Sequence, residues 1–514
     1  MQLAGYNTRL VNGVKWLIKK ESCFTIEEEL IPLLSSSAFF QQEVPIKQGK
    51  HKSLWRFIPS SGQEDETYLI KRYETRHLLG HLKTLTTPSK ALQELKAAQG
   101  IDQRGVPTPV PVAVGEKLNW RMVKESYVVF KELKQCHALN SYFLQEYPAE
   151  KSSQKLSEKR KVITTLGTLA EKAHREGIFQ SDFSLNNFLL TRGAQGSIKI
   201  YLSDFEKITL KKSLSSRQQI TCLAKLNRVG REISLSDRLR FLKSYVGQRA
   251  SAHHLVSLAR MIQKRTVELL KQDYLRGRVT SVYTDALYEK HQLENTTGYF
   301  RRGYKIEDIL EVIRRFDLLA KSHPSADIKP REEIQVEIAL NGTGQTLSAV
   351  RYFPHAQMTS ARTLWTKICT LALAGIPLDI PHVFMEVKVK SNQEGYLFIP
   401  RRRNAVDFKA FLKPSREKNE ILMLIESLAN LMKKLHYFGI FSDKMAESNF
   451  AVIEDERSRP SLHLKNVETF TMKKEVTTSE KRRDVVLLNA LIKKHYPTMT
   501  YDLTPYYTRG TVKD

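Results

Sequence analysis

Apolar positions along the chain change period several times, and each change predicts an element. In TRLVNGVKWLIKK, Leu10, Val11, Val14, Leu17 and Ile18 fall near helical spacing with lysines between them. That pattern predicts a basic amphipathic helix within residues 1–40, which either packs on its own domain, the commoner fate, or lies on a membrane surface. From Val44 to Tyr73 the pattern turns strand-like, with VPIKQGKHKSLWRFI, a polar turn over Ser60 to Thr67, then YLIKRY. PSKALQELKAAQG reads as a helix, GVPTPVPVAVGEK as a proline-rich extended segment leading to strands, and YVVFKEL (Tyr127 to Leu133) as an apolar strand running into a polar linker. Ala173 to Lys207 reads as a helix end, a turn at Gly177, a loop carrying Asp182 and Asn187, and an apolar strand Phe188 to Leu190. A second strand, Ile198 to Leu202, then delivers Asp204. Beyond it, RQQITCLAKLNRVGREISLSDRLRFLKSYVG and HHLVSLARMIQKRTVELLKQ read as amphipathic helices, with Ser236 an expected N-cap. The first half therefore runs from a small antiparallel sheet with one helix to a larger helical lobe, an α+β pattern with a cleft between.

The loop residues bring chemistry into this picture. Asp and Asn are ordinary turn residues, so an Asp-x4-Asn alone carries little. Here the spacing from Asp182 to Asn187 comes with a leading His-x-x-Gly-Ile, an apolar strand directly after the Asn, and a second apolar run ending in Asp204-Phe205. Phosphoryl transfer from ATP needs this set: one Asp to accept or orient the acceptor hydroxyl, an Asn to hold a magnesium ion, and a second Asp to chelate the metal bridging the phosphates. Lys71, in Leu-Ile-Lys at the end of a strand, stands where a phosphate-binding lysine belongs, and Glu94 on the following helix is its expected partner. The turn at Gln48, Gly49 and Lys50 is the candidate phosphate loop, although it has one glycine where a glycine-rich loop has several, and the end of the Tyr127–Leu133 strand, at Glu132 and Leu133, is the expected adenine hinge.

Composition narrows the partners. The 514 residues suffice for two to four domains, and 41% apolar content without low-complexity tracts suits a globular protein. No run approaches 18 apolar residues and the N-terminus lacks a signal-peptide core, so a cytoplasmic place is expected. Cys23, Cys136, Cys222 and Cys369 are far apart and read as reduced fillers. The formal charge of +27, spread throughout, favours polyanionic partners: an anionic membrane face, a phosphorylated substrate, or nucleic acid. Nucleic acid is ranked low for want of a reading module or aromatic platform.

The segments IKRY, GVPTPVP, HREGIFQSDFSLNNFLL, IYLSDFEK and LNRVGREISLSDRLRFLKSY together resemble the bacterial lipopolysaccharide core sugar kinases, the Kdo/heptose kinase family, over roughly residues 45 to 250. The resemblance implies a protein-kinase-like fold and ATP and magnesium dependence. It also implies transfer to a sugar hydroxyl of the lipid A core at the cytoplasmic face of the inner membrane, with a peripheral place there. It implies the same roles for Lys71, Glu94, Asp182, Asn187 and Asp204. Three departures stand out: Gln180 where kinases usually have His, Asp204-Phe205 followed by Glu206 rather than Gly, and Ser184 where protein kinases often place Lys.

The second half repeats the first. LHYFGIFSDKMAESNF aligns with AHREGIFQSDFSLNNF, so that His436 to Asn449 spans 13 residues, like His174 to Asn187, and Asn449 to Asn466 spans 17, like Asn187 to Asp204. AVRYF, GIPLDIP and GYLFIP match IKRYE, GVPTPVP and the hinge strand. In this register Val350 stands at Lys71, Leu364 at Glu94, Lys444 at Asp182 and Asn466 at Asp204, with Asp443 one residue off. The expected architecture is two tandem protein-kinase-like domains: residues 1–285 active, and 286–514 a pseudokinase that supports the first, holds a partner, or binds an anion through Arg401, Arg402 and Arg403. A kinase for a protein or another small molecule, and a non-catalytic scaffold, are the alternatives.

Overall fold

The computed structural model describes residues 5–21, 25–36, 39–49, 51–60, 66–74, 86–119, 122–147, 152–193, 196–230, 233–247, 250–278, 284, 287–322, 331–340, 343–353, 360–389, 392–402, 405–412, 417–442, 444–454, 460–497 and 502–508. The chain divides into two compact units, Met1–Leu226 with Leu235–Met261, and Asn227–Ser234 with Ile262–Asp514.

The first unit opens on a hairpin, β1 (Tyr6–Val11) and β2 (Val14–Lys19), where a helix was expected. Asn12 (φ 44°) and Gly13 (φ 76°) hold both central turn positions in the left-handed region, the two-residue turn that Asn-Gly favours between twisted strands. Val14, Trp16 and Ile18 are then buried at period two, so the strand spacing prevails over the near-helical spacing of Leu10, Val14 and Leu17. The hairpin joins a seven-stranded antiparallel sheet through β6 (Ala113–Asn119), β7 (Met122–Lys131), β5 (Tyr68–Glu74), β4 (Lys52–Phe57) and β3 (Lys47–Gln48), in that order. Trp16 stacks on Tyr127 at 5.7 Å in the core beneath. Helix α1 (Lys90–Gln103) begins where the Ser89 side chain accepts from Leu92 N, and packs against β6 and β7.

The helical part of this unit is built on α2 (Ser153–Arg175), which packs on α4 (Leu235–Val246). Ser236, expected as an N-cap, lies inside α4, because the helix starts one residue earlier. Two small sheets flank α2: β9 (Ile178–Gln180) pairs with β12 (Ile208–Leu210), and β10 (Phe188–Arg192) lies between β8 (Cys136–Ala138), which precedes α2, and β11 (Ile198–Leu202). The turn into β9 needs Gly177: its φ is +70°, and a Cβ there would meet Lys211 O at 2.2 Å. Helix α3 (Ser216–Leu226) follows, and α5 (Ala252–Leu275) contains the division between units.

The second unit has the same kinds of element in the same order. A hairpin of β13 (Tyr288–Leu293) and β14 (Thr296–Arg301), then helix α6 (Ile306–Ser322), precede β15 (Arg331–Leu340), β16 (Thr343–Tyr352), helix α7 (Ala361–Leu373), β17 (Val383–Val389) and β18 (Asn392–Pro400). The sheet order is β13-β14-β17-β18-β16-β15, all antiparallel. Helix α8 (Lys418–Tyr437) leads to Gly439, whose φ of +80°, with a Cβ there meeting Lys473 O at 2.2 Å, matches Gly177. Helix α9 (Thr478–His495) lies near the end of the described chain. Among the described residues no helix is long and apolar enough to cross a membrane.

Candidate active site

Strand β5 lies between β4 and β7, so Lys71, opposite Leu54 and Val128, is held in an interior strand of the sheet. Its Nζ is 3.1 Å from each oxygen of Glu94, whose side chain on α1 is fully buried. A buried carboxylate needs such a partner, and the pair fixes the ammonium in place. The Phe130 ring lies 5.1 Å from the same nitrogen.

A second carboxylate enters through Tyr73, two residues along β5. Its hydroxyl is 2.6 Å from Glu94 Oε1 and 2.9 Å from Glu206 Oε1, one hydrogen between two acceptors. Burial and then Glu94 and Glu206 push its phenol far above its usual range, so it stays a donor. Glu206 also pairs with Lys52 Nζ, which stands 3.9 Å from Asp204 Oδ1. Burial is the largest single influence on Glu206 and resists its charge, but the hydrogen bonds from Lys52 and Tyr73 and the charges of Lys52 and Lys71 together outweigh it and hold the carboxyl below its ordinary value. Asp204 itself has φ 60° and ψ 80°, a left-handed conformation that Asp tolerates, from which the tight turn Phe205–Lys207 begins. Phe205 buries its ring 6.0 Å from Phe130, which anchors that turn under the sheet. Oxygens of Glu94, Asp204 and Glu206 lie within 4.8 Å of one another, an all-oxygen donor set that suits a hard cation such as magnesium.

The loop residues expected from the sequence to carry the chemistry are tied to the same turn. Asn187 Nδ2 donates to Asp182 O at 2.6 Å, and Ser203 N donates to Asn187 O at 2.9 Å, which places Asn187 beside the residue preceding Asp204. Gln180, wholly buried, donates its Nε2 to Ser203 O (2.8 Å) and Asp204 O (3.0 Å). A neutral amide thus clamps the loop to the turn where the sequence departs from His. Asp182 is partly exposed and meets Lys207 Nζ at 3.0 Å. Behind the loop His174 bonds Tyr245 through Nδ1 at 2.9 Å, and burial lowers it to about 4.

The structure thus draws Lys71, Glu94 and Asp204 into one cluster and ties Asp182 and Asn187 to its edge. Gly49 lies in the turn before β4, its N donating to Lys52 O at 2.8 Å; Lys50 is outside the described residues. Glu132 and Leu133 follow β7, with Glu132 N donating to Thr67 O at 2.8 Å and the Glu132 side chain 2.6 Å from Arg56. Lys52, Tyr73 and Lys207 went unread in the sequence; a lysine three residues past Asp204 and a tyrosine two past Lys71 were the available signals.

At the corresponding positions of the second unit, Val350 is buried in β16, Leu364 is buried in α7, and Asn466 keeps the left-handed backbone (φ 45°, ψ 53°) while its side chain donates to Ser448 O. Lys367 Nζ donates to Phe470 O at 2.7 Å and Val467 O at 3.3 Å; burial lowers its pKa to about 8. Asp443 and Arg403 lie outside the described residues, and Arg402 pairs with Asp379 at 2.6 Å.

Residues 55–245 match the model of the lipopolysaccharide kinase (Kdo/WaaP) family, a family of kinases. A solved structure titled "WaaP in complex with acyl carrier protein" is similar at 19% identity and a TM-score of 0.36, over 49% of this chain and 98% of that one. No curated protein matches by sequence.

Proposed function

We propose, for a chain whose residues 55–245 match a lipopolysaccharide kinase family, that its first unit transfers phosphate from ATP to a sugar hydroxyl of the lipopolysaccharide core, Kdo or heptose. The observation that carries the reading is the buried Lys71–Glu94 pair, joined through Tyr73 and Glu206 to the turn that presents Asp204.

In this reading the Lys71 ammonium, held by both Glu94 oxygens, meets the phosphates, and the turn at Gly49 is their expected cover. Asp204 and Asn187 hold magnesium, which neutralises the phosphate oxygens when bound. Asp182 accepts or orients the sugar hydroxyl, and Gln180 keeps its loop in register with Asp204. The backbone at Glu132 and Leu133 meets the adenine. The charge of +27 draws the chain to phosphorylated glycolipid and to the anionic cytoplasmic face of the inner membrane, at about 1 kcal/mol per basic residue near the surface.

The second unit, within residues 286–514, is a kinase-like copy that has lost the chemistry. Its support is a set of recurring contacts: His174–Tyr245 and His436–Tyr507 are each 71 residues apart, and Tyr73–Glu206 recurs as Tyr352–Glu468 at 2.8 Å. The buried Arg72–Glu125–Tyr127 group likewise recurs as Arg351–Glu394–Tyr396. The test is ATP turnover with purified core oligosaccharide; wild-type rates surviving in both Asp182→Ala and Asp204→Ala contradict the proposal.

A further inference from the structure

We infer that Lys207 is the cation that meets the transferred phosphoryl group, in the role that Ser184 leaves without a charge. This rests on the kinase reading above and deepens it. In phosphoryl transfer, charge spreads over the equatorial oxygens of the moving group beside the residue that holds the acceptor hydroxyl, and a positive group must stand there. Ser184 is buried at 3% exposure and carries no charge. Lys207 Nζ is 3.0 Å from Asp182 Oδ2, where that cation is needed.

The backbone is built to place it. From the left-handed Asp204 the turn Phe205–Lys207 folds back on the catalytic loop, Ser181 N donates to Lys207 O at 2.9 Å, and Ile208 pairs with Gln180 in the ladder of β12 and β9. Lys207 and Asp182 therefore sit just beyond the same end of one short ladder. Stability does not account for the pair, since its side chains are 55% and 35% exposed and such exposed pairs contribute only about 0–1 kcal/mol.

The second unit separates the chemical contacts from the architectural ones. At the spacing that takes Asn187 to Asn449 and Asp204 to Asn466, Asp182 becomes Lys444 and Lys207 becomes Thr469. The carboxylate is replaced by a cation and the ammonium by a neutral hydroxyl, so the pair is lost as a pair. The neighbouring Glu206 persists as Glu468, and its bond to tyrosine persists with it. The Tyr–Glu bridge thus belongs to the fold, and the Asp182–Lys207 pair accompanies the reaction. In the step itself the acceptor oxygen bonds to the γ-phosphorus as the bond from that phosphorus to the β,γ-bridging oxygen breaks. ADP leaves with that electron pair, the hydroxyl proton passes to Asp182, and Lys207 turns from the carboxylate to the phosphoryl oxygens.

The experiment uses the full chain, ATP with magnesium and purified core oligosaccharide. Lys207→Met is expected to lower kcat by about 10²–10³-fold, the scale of removing one preorganised charge stabiliser, with ATP affinity by calorimetry and Tm unchanged. Lys207→Arg is expected to keep most of the rate. Wild-type kcat in Lys207→Met, loss of ATP affinity with kcat intact, or an arginine variant as slow as the methionine one each overturns the assignment. A wild-type chain that neither binds nor turns over ATP brings down the kinase reading itself, an outcome distinct from the other three.

Discussion

The two units solve the same structural problem with different charges. Each holds a helix against its sheet and ties a tight turn, entered through a left-handed residue, to that helix. In the first unit the tie is ionic and wet at one end: Lys71, Glu94, Tyr73, Glu206 and Lys52 form a chain whose end is partly exposed beside Asp204. In the second a single buried lysine, Lys367, donates straight to the carbonyls of Val467 and Phe470, with Val350 and Leu364 filling the core nearby in sequence. Closing the turn therefore needs donors and acceptors, but not this arrangement of carboxylates. What the first unit adds is a cluster of three carboxylate oxygens and two ammonium groups, a costly assembly that the fold alone does not require.

That comparison is sharpest at the turn residue. Asp204→Ala is expected to reduce phosphoryl transfer by about 10³-fold or more, since it removes the anion proposed to hold the metal, whereas Asn466→Ala leaves the rate unchanged. Equal losses in both would end the asymmetry. Next in size is the helix position. Glu94→Ala strands a lysine in a largely buried site, and breaking such a pair costs about 3–5 kcal/mol, less here because Lys71 keeps 17% exposure; rate and Tm are both expected to fall. Leu364→Ala costs about 2–5 kcal/mol of packing and leaves the rate intact. Parallel denaturant and turnover measurements separate the two patterns.

Much of this was legible because the motif residues sit at the ends of short local elements. Asp182, Asn187 and Asp204 lie on one hairpin and its flanking turns, so their spacing in sequence is nearly their spacing in space. Lys71 and Glu94 are 23 residues apart on one strand and the next helix, a separation that strand and helix geometry set. The opening hairpin was misread because Leu10, Val14 and Leu17 also fit a helix; the Asn12-Gly13 pair was the stronger signal. Lys52 is invisible in the sequence for another reason. Lys52 finds Glu206 across 154 residues, and a lysine's reach depends on tertiary neighbours that no local pattern records. Gln180 was seen as a departure, yet only its two carbonyl partners show that an amide can replace the usual imidazole as the anchor.

A smaller effect tests the helix ends behind the two loops. His436 has Asp484 at 3.0 Å on its Nε2, while His174 Nε2 meets no partner among the described residues, and Cys222 stands at the position of Asp484. Burial lowers His174 from 6.5 to about 4, so between those pH values the unfolded chain binds a proton that the folded chain refuses. Stability contributed by neutral His174 is thus complete above pH 6.5 and lost as pH falls toward 4, up to about 3 kcal/mol. Cys222→Asp gives His174 the carboxylate that His436 has and is expected to flatten this loss. Urea midpoints from pH 7 to 4 read it directly, and an unchanged slope in the variant sets the comparison aside.

The most direct measurement is calorimetric titration of the full chain with ATP and magnesium. One nucleotide per chain is expected, abolished by Lys71→Met and untouched by Lys444→Ala. Two nucleotides per chain, or binding that survives Lys71→Met, contradicts the assignment of the chemistry to the first unit alone.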